Sequence, residues 1–589
     1  MRRDREDQEE EEGVGDIFEQ EDEEEDPVPG AGLAGRLWSK FKDEAAFALY
    51  SPFFVCLAAG DLTSQAFNNC LAQELHFIQA YVNAFDMAGK SSESAFEQGT
   101  LEYFLEREST KIREKERFIR RMSIEIPEEI VPEEETVKYT QFLLSIAAGD
   151  LNIRGYHPAK ISKDGAFTLA AIAPCMRLYS YLCDEIKAVI DPNDQNHRFK
   201  KWFHPEGFKI YEGSALEIEG AMEFSVSDFD TQKFKQTDLI YREALKLDVK
   251  FYAAHQVQQR RIVPLVLLDN NYDRRRVTIF CEFDMTVTVH DSSYNLLMTP
   301  TTRVATSNGS DEAEVEPLWS PIPTESVTSL YEQSNRELED AVEEVISNTP
   351  KANNFNYASI ATLEDELKTI WEHPKRVIEK VENMQVLKGL SINNIIEAGE
   401  NIGLYKGCRS FLQRLVDGDP KTDVHILSYS WCGDFIQSAF YSDSNAAFVS
   451  ILSNELVYDG NITTGRIYKN LETPMQKVQE IKDNLKEFEK DDFHVTVYIG
   501  HSAPDLPCLI EANIGIVIGS DSCLRKLATH LGVSFVPLFS GLVRKQEEVA
   551  YLESPSIWKP RSGVLFTVSC WSEIHAFVLG CEKDVLGTF

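Results

Sequence analysis

The 589-residue sequence is short of basic charge. Fifty-nine lysines and arginines stand against 96 aspartates and glutamates, for a net charge of −37. That balance repels a phosphate backbone and an anionic membrane surface, so nucleic acid and membrane are excluded as partners. Long apolar runs are also missing, and none approaches the roughly 18 to 20 residues that a membrane span needs. The eleven cysteines lack paired metal-binding spacing. Several of them, including Cys56, Cys183 and Cys281, lie inside apolar runs, as small core residues do in a reducing compartment. Residues 1 to 30 hold fifteen acids and three arginines. Such a segment buries too little apolar surface to offset its ordering entropy, so residues 1–35 are expected to form a disordered acidic tail. It is either an interaction arm or a plain solvated extension. Transit peptides are basic and acid-poor, so this composition points to the cytoplasm rather than the mitochondrion.

What is present is ample apolar material, 43% hydrophobic and 11% aromatic, on a chain long enough for two or three domains. From Leu37 to about His255 the apolar period is helical. A helix over Asp61 to Asp86 opens with the capping types Thr63 and Ser64 and carries a stripe of Phe67, Leu71, Ile78 and Val82. Glu74 lies on that stripe and needs either a buried salt bridge or a ligand. A second helix, near Phe167 to Ile190, puts Cys175 and Tyr179 on one face, and Pro174 removes a backbone hydrogen bond just before them. A cysteine in that position is either a small core residue or a nucleophile. A third helix, about Thr237 to Ala254, sets Asp248 beside Ile240, Ala244, Leu247 and Phe251.

Residues 256 to 276 are rich in Gln, Arg and Asn and read as a linker (258–275) with little to bury, which makes the two halves separable. Next comes VTIFCEFDMTVTVHDSS, Val277 to Ser293: an apolar strand ending in Glu282 and Asp284, two acids that share a face, then Thr286. The pair is either a solvated strand cap or a site for a hard cation and phosphoryl chemistry. Ser326 to Ser347, Ile360 to Asn383 and Ile392 to Leu415 read as helices, so residues 292–415 form an all-helical insertion, either a cap or a peripheral subdomain. Short apolar strands beginning at Val424, Val495, Gly515 and Phe535 alternate with helices, the pattern of a doubly wound parallel sheet with its site at the strands' carboxyl ends.

Four segments of the second half resemble the motifs of the haloacid dehalogenase (HAD) phosphatases: EFDMT from Glu282, VHILS ending at Ser428, Lys477 in TPMQKVQ, and VTVYIGHSAPD ending at Asp505. The first half, through AQELHFIQAY, TVKYTQFLL, APCMRLY and ALKLDVKFY, resembles the TenA/thiaminase II family. Together they resemble, nearly end to end, the bifunctional thiamin-salvage family of plants. The resemblance implies an all-α, haem oxygenase-like domain over residues 36–257 and an α/β HAD domain with a helical cap over 276–589. It implies a hydrolase that frees hydroxymethylpyrimidine from an aminopyrimidine without a cofactor, and dephosphorylates thiamin monophosphate with magnesium. It also implies a homo-oligomer formed through the helical domain, acting on small molecules.

By position, Cys175 matches the TenA nucleophile and Asp248 the acid that handles the leaving-group proton. Glu74 matches the acid that holds the pyrimidine's amino edge, Phe77 the stacking aromatic, and Tyr139 and Tyr179 the pocket tyrosines. The family has Asp at position 74 and Glu at 248, so both acids are exchanged here. A family tyrosine after Lys201 and Trp202 has no clear counterpart, Tyr211 being nearest. In the HAD half, Glu282 stands where the family has its nucleophilic Asp, Asp284 is the acid/base, and Thr286, Ser428 and Lys477 support or bind phosphate. Glu282, Asp284 and Asp505 would hold magnesium, with His501 at a position the family fills with Asp. His501 is otherwise a loop histidine or a transition-metal ligand. These changes leave open a diverged relative in which the second site is inert.

Overall fold

A computed structural model describes residues 32–92, 94–121, 131–153, 156, 158–191, 196–199, 205–227, 229–267, 275–299, 324–358, 363–418, 421–440, 449–488, 494–549 and 557–581. Most of the acidic tail therefore lies outside the described residues. Helix already begins at Leu33, inside the stretch assigned to the tail. Leu37 and Phe41 give that helix a buried face, so its apolar spacing outweighs the acids upstream.

The first half is a bundle. Its principal helices are α1 (Ser64–Ser91), α2 (Ala95–Arg121), α3 (Glu134–Ala147), α4 (Gly165–Val189), α5 (Pro205–Ser225) and α6 (Thr231–Ala253). The Thr63 hydroxyl accepts the Ala66 N–H at 3.3 Å and caps α1, as the capping residues require. Helix α4 corrects the expectation that no segment suits a membrane span. It is 25 residues long and apolar enough by length and composition, but 83% of its most apolar window is buried by the surrounding helices. Residues 165–176 of this helix are all buried, so that part of it needs no polar face.

The second half holds a seven-stranded parallel sheet. Its strands are β1 (Val277–Cys281), β2 (Thr422–Leu427), β3 (Ser450–Leu452), β4 (Val495–Gly500), β5 (Ile514–Ile518), β6 (Ser534–Pro537) and β7 (Val564–Val568), in spatial order β6-β7-β5-β4-β1-β2-β3. Central strands β1, β4 and β5 are buried along their whole length, while edge strands β3 and β6 are not. Helices cover both faces, so the central strands read as continuous apolar runs.

The insertion at 292–415 is not all helical. Lys388–Ser391 is a strand, and it pairs with the hairpin Glu455–Asp459/Ile462–Tyr468 that follows β2. The small sheet thus draws on two distant segments, a pairing that no local period reveals. Helix Cys408–Gly418 packs on β2, and Thr324–Asn348 packs on Ser522–His530, so both ends of the insertion belong to the sheet's own layers. The helix expected over Ile360 to Asn383 divides into Glu364–Trp371 and His373–Met384, with Pro374 opening the second. The one expected over Ile392 to Leu415 breaks before Gly407, whose φ of +79° no helix accommodates.

The linker expected to have little to bury is core in its first half, around Ile262 to Val266. Ile262, Val263, Leu265 and Val266 are buried. Leu265 and Val266 donate their N–H groups to the carbonyls of Phe577 and Val578, at the end of α7 (Trp571–Val578). Tyr50 donates to Glu573 at 2.5 Å, and Phe47 meets the His575 ring edge-on at 5.1 Å. The Gln546 amide donates to Asp61 Oδ2 (2.9 Å) and the Arg260 carbonyl (2.8 Å) and accepts the Ile262 N–H (3.1 Å). One apolar cluster therefore runs through both halves.

Removing the Gln546 amide leaves the buried Ile262 N–H without its acceptor and takes a donor from the half-buried Asp61 and Arg260. Gln546→Ala should lower the unfolding free energy in urea by about 2 to 4 kcal/mol. A change below about 0.5 kcal/mol, ordinary for a surface position, would show that the halves do not depend on this junction.

Candidate functional site

Two separate clusters collect the residues singled out from the sequence. In the bundle, α1 supplies Glu74, Phe77 and Tyr81, α3 supplies Tyr139, α4 supplies Cys175 and Tyr179, and α6 supplies Asp248 and Phe251. Phe77 stacks on Tyr139 with centroids 4.3 Å apart and packs against Phe251 at 4.9 Å. The Tyr139 hydroxyl donates to the Ala171 carbonyl (3.2 Å), one turn before Cys175, and meets the Tyr81 hydroxyl at 3.3 Å. Tyr81 also reaches the Cys175 thiol. Sequence reasoning missed Tyr81, although it sits four residues after Phe77 and seven after Glu74 on one helical face.

Asp248 is fully buried, and neither carboxyl oxygen has a hydrogen bond of ordinary geometry; the Cys175 thiol is the group it faces. Burial, reinforced by Glu74, pushes its pKa up to about 8 against the opposing pull of the thiol. Burial, with Asp248 beside it, also raises the Cys175 thiol well above its ordinary range. The free site therefore holds a thiol and not a preformed thiolate. Acids cannot lower a thiol's pKa; only cations or donors do.

Glu74 finds its salt bridge: Lys115, on α2, is bonded to its Oε2. Glu74 and Tyr179 line a narrow cavity with Phe53, Phe67, Cys70 and Tyr252. Its volume is about 20 Å³, room for about one water molecule. Lys201, Trp202 and the Tyr211 side chain lie outside the described residues.

The second cluster stands at the carboxyl ends of β1, β2 and β4, with Lys477 entering from the helix Pro474–Leu485. Glu282 is turned inward. Its Oε1 accepts the Phe283 N–H at 3.0 Å and its Oε2 takes Lys477. Asp505 lies 3.5 Å from the same ammonium, and both its oxygens are occupied, Oδ1 by the Tyr498 hydroxyl and Oδ2 by Ser502 and the His501 N–H. Burial opposes the charge on Asp505, yet Lys477 and then His501 hold it below the usual aspartate range. Asp284 accepts the Ser292 N–H at 2.6 Å, and burial beside Asp291 and Glu282 raises it well above the carboxylate range. Between Asp284 and Thr286, Met285 takes a left-handed φ of +53°, a strained conformation for a side-chain-bearing residue and one that collects at functional turns.

His501 Nδ1 meets the Thr286 hydroxyl at 3.1 Å, while Trp571 donates to the Thr286 carbonyl at 2.8 Å. Ser428 is buried within reach of Glu282 and accepts the Ser430 N–H. Asp291 and Trp571, both missed from the sequence, border this cluster because chain folding brings them there.

These residues do not fit magnesium as they stand. An octahedral cation needs carboxylate oxygens free to turn toward it. Here Glu282 is bonded through both oxygens, Asp505 likewise, and position 501 offers an imidazole. Among the described residues no three His, Cys, Asp or Glu side chains gather as ligands.

Residues 45–258 match the TENA/THI-4/PQQC family. The chain is 34% identical over 569 residues to a protein of Arabidopsis thaliana named bifunctional TH2 protein, mitochondrial, a match covering 94% of this chain and 90% of that one. Among solved structures it is similar to a TenA family transcription regulator from Silicibacter sp. TM1040 (16% identity, 38% of this chain, 95% of that chain, TM-score 0.32). It is also similar to a phosphoserine phosphatase in its apo form (14% identity, 43% of this chain, 91% of that chain, TM-score 0.25). The Arabidopsis protein's name places it in mitochondria and overturns the cytoplasmic expectation. That expectation rested on the charge of residues 1 to 30, which reports their own solvation and not the compartment of the whole protein.

The raised pKa of Asp248 makes a pH prediction. Between the ordinary aspartate value and about 8, the folded chain binds a proton that the unfolded chain has released. This group's contribution to stability is therefore complete at low pH and is lost as pH rises through that window. Asp248→Asn removes the loss. The unfolding free energy of the variant relative to the parent, measured in urea, should rise from pH 5 to 8.5, with an upper limit on the order of 5 kcal/mol. A flat difference would show that Asp248 ionises in the fold as it does in water.

Proposed function

The chain belongs to the family of the bifunctional TH2 protein, and from that premise we propose that it is a thiamin-salvage hydrolase with two unequal sites. The helical site converts an aminopyrimidine to hydroxymethylpyrimidine and ammonia. One observation carries this reading: Cys175 and Asp248 face each other in a buried cluster with Tyr81 and Tyr139. The working form of that pair holds a single proton. As sulfur bonds to the ring, the thiol proton passes to the Asp248 carboxylate. Asp248 then delivers it to the departing amine. Water adds its hydroxyl to the methylene carbon the amine has left as the carbon–sulfur bond breaks, and the remaining water proton returns to the Cys175–Asp248 pair. The stacked Phe77 and Tyr139 support the ring, and Glu74 takes its amino edge. The closed cavity must widen to admit the ring, which excludes water from the reacting atoms.

The sheet domain is read as a weak thiamin monophosphate phosphatase. Magnesium is the family's cofactor, but Glu282 and His501 speak against its ordinary use here, so no step is routed through it. The competing reading, an inert domain kept as a scaffold, is supported by the inward turn of Glu282 onto Lys477. Substrates at both sites are small molecules. A homo-oligomer through the helical domain is supported by the exposed Phe96, Tyr103, Leu216 and Phe224 on α2 and α5, and the mass in solution decides it.

Cys175→Ser should cut ammonia release from aminomethylpyrimidine by about 1,000-fold or more while leaving binding within about threefold. Turnover like the parent's in that variant would remove Cys175 as nucleophile. No turnover in either protein, with binding intact, would make the helical domain a binding module.

Glu282→Asp with His501→Asp should raise magnesium-dependent phosphate release from thiamin monophosphate by about 100-fold or more, each single change doing far less. Robust activity in the parent would show that Glu282 serves as nucleophile. A silent double variant would favour the scaffold.

A further inference from the structure

Helix α2 changes character halfway along. Leu101 and Phe104 anchor its first half with apolar burial. Beyond Phe104, where Leu105 and Ile119 still pack inward, it is held mainly by charge. Glu108 is fully buried and takes Arg107 and Lys111, Arg107 continues to Glu217 on α5, and Lys115 takes Glu74 on α1. Residues 107, 108, 111 and 115 follow the three-to-four spacing of one helical face. This charged face lies over the catalytic helices, and Lys111 is close enough to feel Cys175.

The Glu74–Lys115 pair is the innermost member of that face. Both side chains are close to 90% buried. Glu74 shares its surroundings with Cys70 on α1, Cys175 and Cys183 on α4, and Asp248 and Tyr252 on α6. None of these is a cation. Lys115 is the cation bonded to the Glu74 carboxylate, and it is bonded through Oε2 while Glu74 lines the cavity. A glutamate carries one more rotatable bond than the aspartate of the family. Unheld, its carboxylate would sample several rotamers.

We propose that Lys115 is a positioning residue for the helical site: through its ion pair it fixes the Glu74 carboxylate so that its other oxygen meets the amino edge of the substrate. The proposal rests on the aminopyrimidine reading of that site and adds the element that lets the longer acid work there. Lys115 does not touch the reacting atoms. It determines which ring is accepted. A charged, fixed oxygen rewards a ring that offers an N–H and leaves a buried anion unsatisfied by a ring that does not.

The test compares the full-length parent with Lys115→Met and Lys115→Arg. Calorimetric titration and steady-state ammonia release use 4-amino-5-aminomethyl-2-methylpyrimidine, and titration also uses the analogue with hydrogen in place of the 4-amino group. The parent should prefer the amino ring by about tenfold or more. Lys115→Met should lose most of that preference and raise KM about tenfold with kcat within about threefold, because ground-state and transition-state binding are lost alike. Lys115→Arg, which keeps the charge, should restore both to within about threefold. Undiminished discrimination in Lys115→Met would overturn the proposal. So would a joint fall in kcat and stability that Arg does not restore, since that is the mark of a packing role. A parent that binds neither ring would instead overturn the aminopyrimidine reading, and this proposal with it.

Discussion

A carboxylate removed from water must receive a cation, a proton or a set of donors, and both sites of this chain are arranged by how that demand is met. In the bundle, Glu74 receives Lys115, while Asp248 receives no cation and is driven toward its protonated form. Two neighbouring acids are thereby set apart, one ion-paired and one driven toward protonation. In the sheet domain the same demand is met differently. Lys477 serves Glu282 and Asp505 together, and donors from Ser502, Tyr498 and the His501 backbone complete Asp505. That network satisfies its own charges, which is why it has little left to offer a metal ion.

Glu282 illustrates how one methylene alters a site. The longer side chain curls back far enough to accept the N–H of the next residue while keeping Lys477. Lys477 is thus taken up by Glu282. His501, bonded to Thr286 and near Asp505, stabilises this closed arrangement instead of opening it. The two exchanged acids of the bundle follow a different course, because Lys115 anchors the lengthened one.

The two halves share more than a chain. Helix α7 contacts the motif loop through Trp571 and the bundle through Glu573 and His575, and its last carbonyls take the N–H groups of the connecting segment. An eight-residue helix thus lies against the phosphatase-like loop on one side and the thiaminase-like bundle on the other. The polar composition of residues 256 to 276 hid this, because Ile262 to Val266 is a short apolar island between arginines. A few buried residues outweigh many exposed ones in deciding whether a junction is rigid.

Local pattern determined the helices of the bundle, the central strands, and the inward placement of Cys175, Asp248, Glu282 and Asp284, while family resemblance added Ser428, Lys477 and Asp505. Helical and strand periods record which face is buried, and residues at the ends of parallel strands converge whatever the loops between them do. Tertiary structure decided the rest. It paired Lys388–Ser391 with a hairpin some 70 residues away, buried the linker, and supplied Lys115, Tyr81, Asp291 and Trp571 as neighbours. It also set the protonation of Cys175 and Asp248. Sequence spacing carries the direction of a side chain but not the charge of what it will face. Burial and partner charge, which fix a pKa and the worth of an ion pair, exist only once distant segments are packed together.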